Sequence, residues 1–287
     1  MFRTALRLFL VAVGAAFASS PASAAEPIPV SQLNTFTHVH GLAVDRNDPS
    51  HLLIATHHGL YRARPDGNAE LISVVQDFMG FVPHPGDPNT LYASGHPAAG
   101  GNLGLIASSD GGKTWIEVSP GLNGPVDFHQ MTVSLADPRV IYGLYGDLQV
   151  SRDAGQTWAE VGPVADGVID LAASARDADI LYAATERSLL VSLDAGKSWR
   201  ALLEGAPVTM VEVAADGSVY AFVHRQGLWR ASEGTFNWTA LSEDWGDRYI
   251  LHLAIDPTAP ERLYAATGAG QVLASPDQGR TWNAFGR

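Results

Sequence analysis

The 287-residue sequence contains no cysteine. This absence excludes a disulfide framework, a thiolate metal site, a cysteine nucleophile and a lipid anchor attached through cysteine. Lysine is almost as scarce, since only Lys113 and Lys197 occur among 18 basic residues, which face 30 acidic residues for a formal net charge of −12. Such an acidic surface repels phosphate backbones, so we expect no nucleic-acid partner.

Apolar runs long enough to span a bilayer are missing after residue 25, and we therefore expect no membrane insertion. The N-terminus instead has the pattern of a secretory signal: Arg3 and Arg7 precede a short apolar stretch at 8–17, and the small residues Ala22-Ser23-Ala24 follow. We predict export to the periplasm or secretion, with cleavage after Ala24. The predicted segments are a signal peptide at 1–24, an N-terminal segment at 25–35 and a single domain at 36–287.

An octet with the pattern Ser-x-Asp-x-Gly-x-Thr/Ser-Trp organises the rest of the chain. The four full copies begin at Ser108, Ser151, Ser192 and Ser275. Two eroded copies, at 64–71 and 232–238, keep the register, so that the six units follow one another at intervals of 39 to 44 residues. Asp suits a turn because it accepts backbone hydrogen bonds, Gly supplies a positive φ, and Trp buries its ring while its N–H finds a partner. The octet therefore predicts a structural turn between two strands, and its Asp residues are not expected to be catalytic.

Each unit also contains short alternating runs separated by Gly, Pro and Asp, about four runs per unit. Six units of about forty residues with this pattern are typical of a propeller. We predict an all-β fold, a six-bladed β-propeller whose blades are four-stranded antiparallel sheets.

The four octets resemble the Asp-box (BNR) repeats of sialidase-like, sortilin-like and photosystem-assembly-factor propellers. The resemblance lies in the repeat architecture and covers nearly all of residues 36–286. It implies Asp-box turns, and it is compatible either with a glycosyl hydrolase or with a binding scaffold. An exo-α-sialidase of this family grips its substrate carboxylate with three arginines, but the stretch Thr37–Gly41, where the first is expected, contains none. The resemblance therefore does not extend to sialidase activity.

Other glycosidases need two carboxylates roughly 5–10 Å apart across the sugar. Candidate carboxylates at the openings of the blades are Asp77, Asp127, Asp170 and Glu212, of which Asp77, Asp127 and Glu212 are the predicted catalytic residues. The same residues also suit turns and caps, so a hydrolase stays an alternative here.

Ten histidines are the other unusual feature of the composition. When the blade openings are aligned on their Asp-Pro pairs, most of these histidines fall at the start of an innermost strand or in the loop between the second and third strands. Both places lie on one face of a propeller, around the mouth of the central channel. The predicted site residues on this face are His38, His40, His57, His58, Met79, His96, His129, Met131 and His224.

Neutral imidazoles bind borderline and soft metals, and thioether sulfur is a soft ligand. A His/Met set without Cys favours copper, and we predict a metal site of this kind on the face. Either His57 or His58 is the ligand of that pair, since both cannot easily chelate from one turn. Three functions stay open: an exported binding propeller in metal handling or in maturation of another exported protein, a metal-independent assembly factor with a protein partner, and a glycosidase that binds a glycan.

Overall fold

The computed structural model describes residues 26–164 and 167–286, which form six antiparallel sheets arranged as blades. The predicted signal peptide lies outside these residues. Each blade is built from four strands that are consecutive in sequence, so the chain completes one blade before it starts the next. The fold prediction of a six-bladed propeller with four-stranded blades is confirmed.

Strands alternate direction within a blade, and the first strand of each blade is the innermost. The innermost strands are β2 (Val39–Val44), β6 (Met79–Pro83), β10 (Gln130–Val133), β14 (Val168–Ala173), β18 (Val208–Val213) and β22 (Ile250–Ile255). The second strands are β3 (Leu52–Thr56), β7 (Leu91–Ser94), β11 (Ile141–Tyr145), β15 (Leu181–Thr185), β19 (Ser218–Val223) and β23 (Leu263–Thr267). The third strands are β4 (Gly59–Ala63), β8 (Leu105–Ser108), β12 (Asp147–Ser151), β16 (Ser188–Ser192), β20 (Gly227–Ser232) and β24 (Val272–Ser275). The outermost strands are β5 (Asn68–Leu71), β9 (Ile116–Ser119), β13 (Ala159–Gly162), β17 (Arg200–Glu204), β21 (Thr239–Ser242) and β25 (Asn283–Ala284).

The four octets form turns between the third and fourth strands of their blades. In the copy that follows β16, the Asp194 carboxylate accepts a backbone hydrogen bond from Ser198 at 2.9 Å, and the indole N–H of Trp199 donates to the carbonyl of Gly196 at 3.0 Å. Gly196 has a φ of +88°, and a Cβ there would lie 2.3 Å from Leu148 of the preceding blade. Hydrogen bonds from the turn hold the pKa of Asp194 down at about 2. The octet is therefore a folding device that also brings neighbouring blades together.

Among the described residues, each of the first and last blades takes its four blade strands from its own stretch of chain, and the ring closes by packing between these two blades. The N-terminal segment supplies β1 (Ile28–Pro29), which adds a fifth strand outside β5, and the short helix α1 (Val30–Leu33). Leu33 then joins a core in which Val39 and Leu42 of the first blade pack with Tyr264 of the last. The side-chain amide of Asn34 donates to the carbonyl of Ala269 at 2.9 Å, which adds a polar link across the seam.

Most of the innermost strands contain a β-bulge near their start. The unpaired residues are His40 in β2, Ile169 in β14, Thr209 in β18 and Leu251 in β22. A bulge leaves one residue outside the ladder and changes the direction of its side chain. Thr209 thus corresponds to His40 in the fifth blade.

Candidate functional site

A cluster of three possible metal ligands lies where the first two blades meet at the mouth of the channel. His40 is the bulge residue of β2, His57 begins the turn between β3 and β4, and Asp77 precedes β6. Each can offer one donor atom such that all three atoms lie within 4.8 Å of one another. Nε2 of His40 is 3.0 Å from Nε2 of His57, and Nδ1 of His57 is 3.1 Å from Oδ1 of Asp77. We call these three residues the His40 cluster.

His38 extends this cluster with a third imidazole. Its ring centroid lies 5.5 Å from that of His57 and 6.4 Å from that of His40, while the His40 and His57 rings are 4.1 Å apart. The side chain of His38 is exposed. His38 thus lies beside the cluster but is not among the residues whose donor atoms converge within 4.8 Å.

The electrostatics of the cluster favour ligands that are ready to bind a cation. Burial and the neighbouring imidazole of His57 lower the pKa of His40 to about 3, so His40 is neutral at physiological pH. Oδ1 of Asp77 is buried and lacks a hydrogen bond of acceptable geometry despite its short distance to His57. An unsatisfied buried carboxylate oxygen is costly unless a cation or another donor reaches it.

A second group of the predicted residues lies one blade further on, where the second and third blades meet. Nε2 of His129 lies 2.5 Å from Oδ2 of Asp127, and Nε2 of His96 lies 3.6 Å from the same oxygen. The hydrogen bond to Asp127 raises the pKa of His129, and the charge of Asp77 acts in the same direction.

The remaining predicted site residues lie elsewhere. The rings of His58 and Phe36 pack together with their centroids 6.2 Å apart, and those of His224 and Tyr249 with their centroids 6.0 Å apart. Met79 and Met131 are 6% and 7% exposed and belong to the apolar packing of the blades. The structure thus places His57, and not His58, beside His40, and it places the two thioethers in the core.

Glu212 occupies a different part of the molecule from Asp77 and Asp127. It lines a cavity of about 270 Å³ within the channel, together with Asp170 and His252. Burial and the charge of Asp170 raise the pKa of Glu212 to about 8, and burial raises that of Asp170 to about 7. Asp170 accepts backbone hydrogen bonds from Leu171 and Val211 at 2.9 and 3.0 Å, so it links two innermost strands.

Carboxylate partners for the imidazoles are not predicted from the sequence. The sequence indicates Asp77 and Asp127 as catalytic or turn carboxylates, whereas in the structure each approaches a histidine of the preceding blade. The available signal was the dipeptide Asp-Phe, which opens both the second and the third blade, at 77–78 and 127–128. His252 also lines the channel cavity, and burial there lowers its pKa to about 4.

Within the described residues, no helix is long and apolar enough to cross a membrane. Neither a protein-family model nor a curated protein matches the chain.

Solved structures do resemble it. A GH74 xyloglucanase from Xanthomonas campestris is 21% identical with a TM-score of 0.58, and the match covers 86% of this chain and 45% of that one. A GH74 enzyme from Niastella koreensis is 16% identical with a TM-score of 0.60, again over 86% and 45% of the two chains. A protein of unknown function from Bacteroides thetaiotaomicron is 12% identical with a TM-score of 0.62, over 83% and 69%.

This chain spans less than half the length of the two GH74 proteins. At these identities the likeness concerns the fold, and activity has to be argued from the residues of the site.

Proposed function

We propose that this protein is an exported binding propeller that holds a divalent transition metal, with Cu²⁺ preferred, through His40, His57 and Asp77. The observation that supports it is the convergence of their three donor atoms within 4.8 Å at the mouth of the channel. Metal handling, or maturation of another exported protein, is the role that such a site would serve.

The donor set favours copper in its oxidised form. Two imidazole nitrogens and a carboxylate oxygen suit Cu²⁺, Zn²⁺ and Fe²⁺, and among divalent first-row metals Cu²⁺ binds such ligands most tightly. Cu⁺ prefers sulfur ligands, but Met79 and Met131 are buried in the core. The proposal is therefore a nitrogen- and oxygen-ligated Cu²⁺ site, and the predicted thioether ligands have no part in it.

Neighbouring histidines provide a matched test. His57 belongs to the His40 cluster, whereas His58 is exposed and packs on Phe36. We expect His57→Ala to weaken Cu²⁺ binding at the cluster at least about a hundredfold, because it removes one of three ligands, and His58→Ala to leave the affinity unchanged. Calorimetric titration with Cu²⁺ and with Zn²⁺, each in competition with a chelator of known affinity, measures both variants.

Equal Cu²⁺ affinity of His57→Ala and His58→Ala would contradict the proposed ligands. Tighter binding of Zn²⁺ than of Cu²⁺ would contradict the preference for copper.

A glycosidase is the second candidate function, and the channel is the observation that favours it. Glu212 has a pKa of about 8 and stands beside Asp170, and a carboxyl group that stays protonated at neutral pH suits a general acid. The test is a screen of the wild-type protein against chromogenic glycosides, followed by Glu212→Gln and Asp170→Asn, which alter the two carboxyl groups of the channel cavity. Absence of turnover by the wild-type protein ends this candidate.

A metal-independent assembly factor is the third candidate. Phe36, Val74 and Val75 are 47%, 60% and 55% exposed next to the first-blade turn that carries His58. An exported protein partner would contact these side chains. Pull-down with the wild-type protein and with Val74→Asp, in the presence of a chelator, separates such a partner from a metal-dependent one.

A further inference from the structure

The contact between His57 and Asp77 recurs one blade later. In both cases a histidine from the turn after the second strand faces a carboxylate that precedes the next innermost strand: His57 faces Asp77, and His96 faces Asp127. The recurrence is a consequence of the propeller repeat, which places equivalent positions of successive blades around the channel mouth. At the second position, His129 supplies a further imidazole from the same strand opening as Asp127.

Asp127 is placed as a ligand rather than as a surface carboxylate. Its side chain is only 7% exposed, while those of His96 and His129 are 42% and 53% exposed, so the carboxylate lies beneath two accessible imidazoles. Both Nε2 atoms approach the same oxygen, Oδ2, at 2.5 and 3.6 Å.

Two polar atoms of this group are buried without a hydrogen-bond partner, namely Oδ1 of Asp127 and Nδ1 of His96. Buried polar atoms in this condition are rare in folded proteins, because each one forfeits the hydrogen bonds it made with water. A cation held by the carboxylate and the two imidazoles would satisfy Oδ1 and would keep His96 in one orientation. The donor types match those of the His40 cluster, with one carboxylate and two imidazoles. Among the described residues only the His40 cluster brings three donor atoms within 4.8 Å, so the half-exposed His96 has to turn towards Asp127 when an ion binds.

We infer that His96, Asp127 and His129 form a second divalent-metal site, so that this face of the propeller carries two ions in neighbouring blades. The ligand class is a nitrogen- and oxygen-preferring transition metal such as Zn²⁺ or Cu²⁺. The two sites share no ligand, so each is expected to fill when the other is removed. Two cations on one face repel each other, so the second ion is expected to bind more weakly than the first.

Metal stoichiometry tests the inference on the full-length protein. The protein is loaded with excess Zn²⁺ and, separately, Cu²⁺, and bound metal is counted by native mass spectrometry and elemental analysis. We expect two ions in the wild-type protein, one in His57→Ala, one in His129→Ala, and none in the double variant. His224→Ala, on the same face in the fifth blade, should retain two.

His129 is half exposed, so its loss should not unfold the protein, and circular dichroism of each variant checks this. One ion in the wild-type protein that His57→Ala removes and His129→Ala does not would overturn the second site and leave the proposed function standing. One ion with the reverse dependence would overturn the His40 cluster and support Asp127 as the ligand. One ion that either variant abolishes would mean a single shared site, and would overturn the inference.

Discussion

Replacement of Asp77 by asparagine should weaken metal binding while leaving the propeller folded. Asp77 is the only anionic member of the His40 cluster, and its Oδ1 lies 3.1 Å from Nδ1 of His57. Asparagine keeps the shape of the side chain and one oxygen, so the variant removes the negative charge with little change in volume. The perturbation therefore isolates the electrostatic share of binding.

The magnitude follows from the position of the carboxylate. Removal of a carboxylate that merely orients a ligating histidine costs about tenfold to a hundredfold in metal affinity. Asp77 is 16% exposed and its donor atom lies within 4.8 Å of both imidazole donors, so its charge acts on the ion directly and through little water. We therefore expect a loss at the upper end of that range, about a hundredfold, which corresponds to about 3 kcal/mol.

A second carboxylate–histidine contact in the same blade serves as the control. Nδ1 of His51 lies 2.9 Å from Oδ2 of Asp48 in the turn between β2 and β3, at the opposite end of β2 from His40. Asp48→Asn changes the same charge beside the same type of side chain, with no further imidazole of a cluster nearby. Its Cu²⁺ affinity should equal that of the wild-type protein.

Competition titration against a colorimetric chelator measures Kd for the wild-type protein, Asp77→Asn and Asp48→Asn at one ionic strength. If Asp77→Asn and Asp48→Asn bind Cu²⁺ equally well, then Asp77 is not a ligand and the geometric argument is refuted. If both weaken binding alike, the effect comes from net charge at long range, which refutes it equally.

Three further predictions concern the frame that holds the site. Asp110→Asn, in the first full octet, should lower the urea midpoint at pH 7. Hydrogen bonds from the turn lower the pKa of Asp110 from 3.8 to about 2, and only the ionised carboxylate stabilises the turn. The difference between variant and wild-type protein should therefore vanish as the pH falls from 3.8 to about 2. Glu212→Gln should leave stability unchanged at pH 4 and should stabilise the protein increasingly as the pH rises from 4.5 to about 8. The pKa of Glu212 is raised from 4.5 to about 8, so the stability associated with its protonated form is present below pH 4.5 and is lost by about pH 8, by up to about 5 kcal/mol. Urea denaturation at pH 4, 7 and 9 checks it, and parallel curves for both proteins would contradict it. Asn34→Ala should cost about 1 kcal/mol of unfolding free energy, since it removes the 2.9 Å hydrogen bond to Ala269 across the ring seam, and an unchanged urea midpoint would show that this link contributes nothing.

The fold could be predicted from the sequence because its determinants are local and repeated. Each octet closes a turn through hydrogen bonds among its own residues, as Ser151, Asp153 and Thr157 do in the third blade. The period between octets then fixes the number of blades, and short alternating runs fix the number of strands. How the ring closes depends on contacts between residues more than 200 positions apart, such as Asn34 and Ala269, for which no local pattern exists.

The site could be predicted only as a face of the molecule. Strand order alone assigns His40, His57, His96 and His129 to the channel mouth. In the structure His40 lies beside His57, while His96 and His129 both approach Asp127. The division into two groups depends on side-chain direction, which a bulge between Val39 and Gly41 changes at His40. Nor does strand order indicate that Met79 and Met131 turn into the core.

The histidines at the channel mouth are not required by the propeller frame, and the frame itself provides the comparison. The bulge position that His40 occupies in the first blade is taken by Ile169, Thr209 and Leu251 in the fourth, fifth and sixth blades, which form the same innermost strand. Apolar or hydroxyl side chains thus satisfy this backbone position as well as an imidazole does. The environment of His40 disfavours the charged imidazole, since burial and nearby imidazoles lower its pKa to about 3.

The fold can replace His40 by an apolar residue, and an unsatisfied carboxylate, that of Asp77, lies in the same cluster. Ligand binding therefore explains the presence of His40 better than a contribution to stability does. His40→Leu, which copies the sixth blade, should accordingly keep or raise the urea midpoint while it abolishes metal binding at the His40 cluster. A substantial loss of stability in that variant would show that His40 is structural after all.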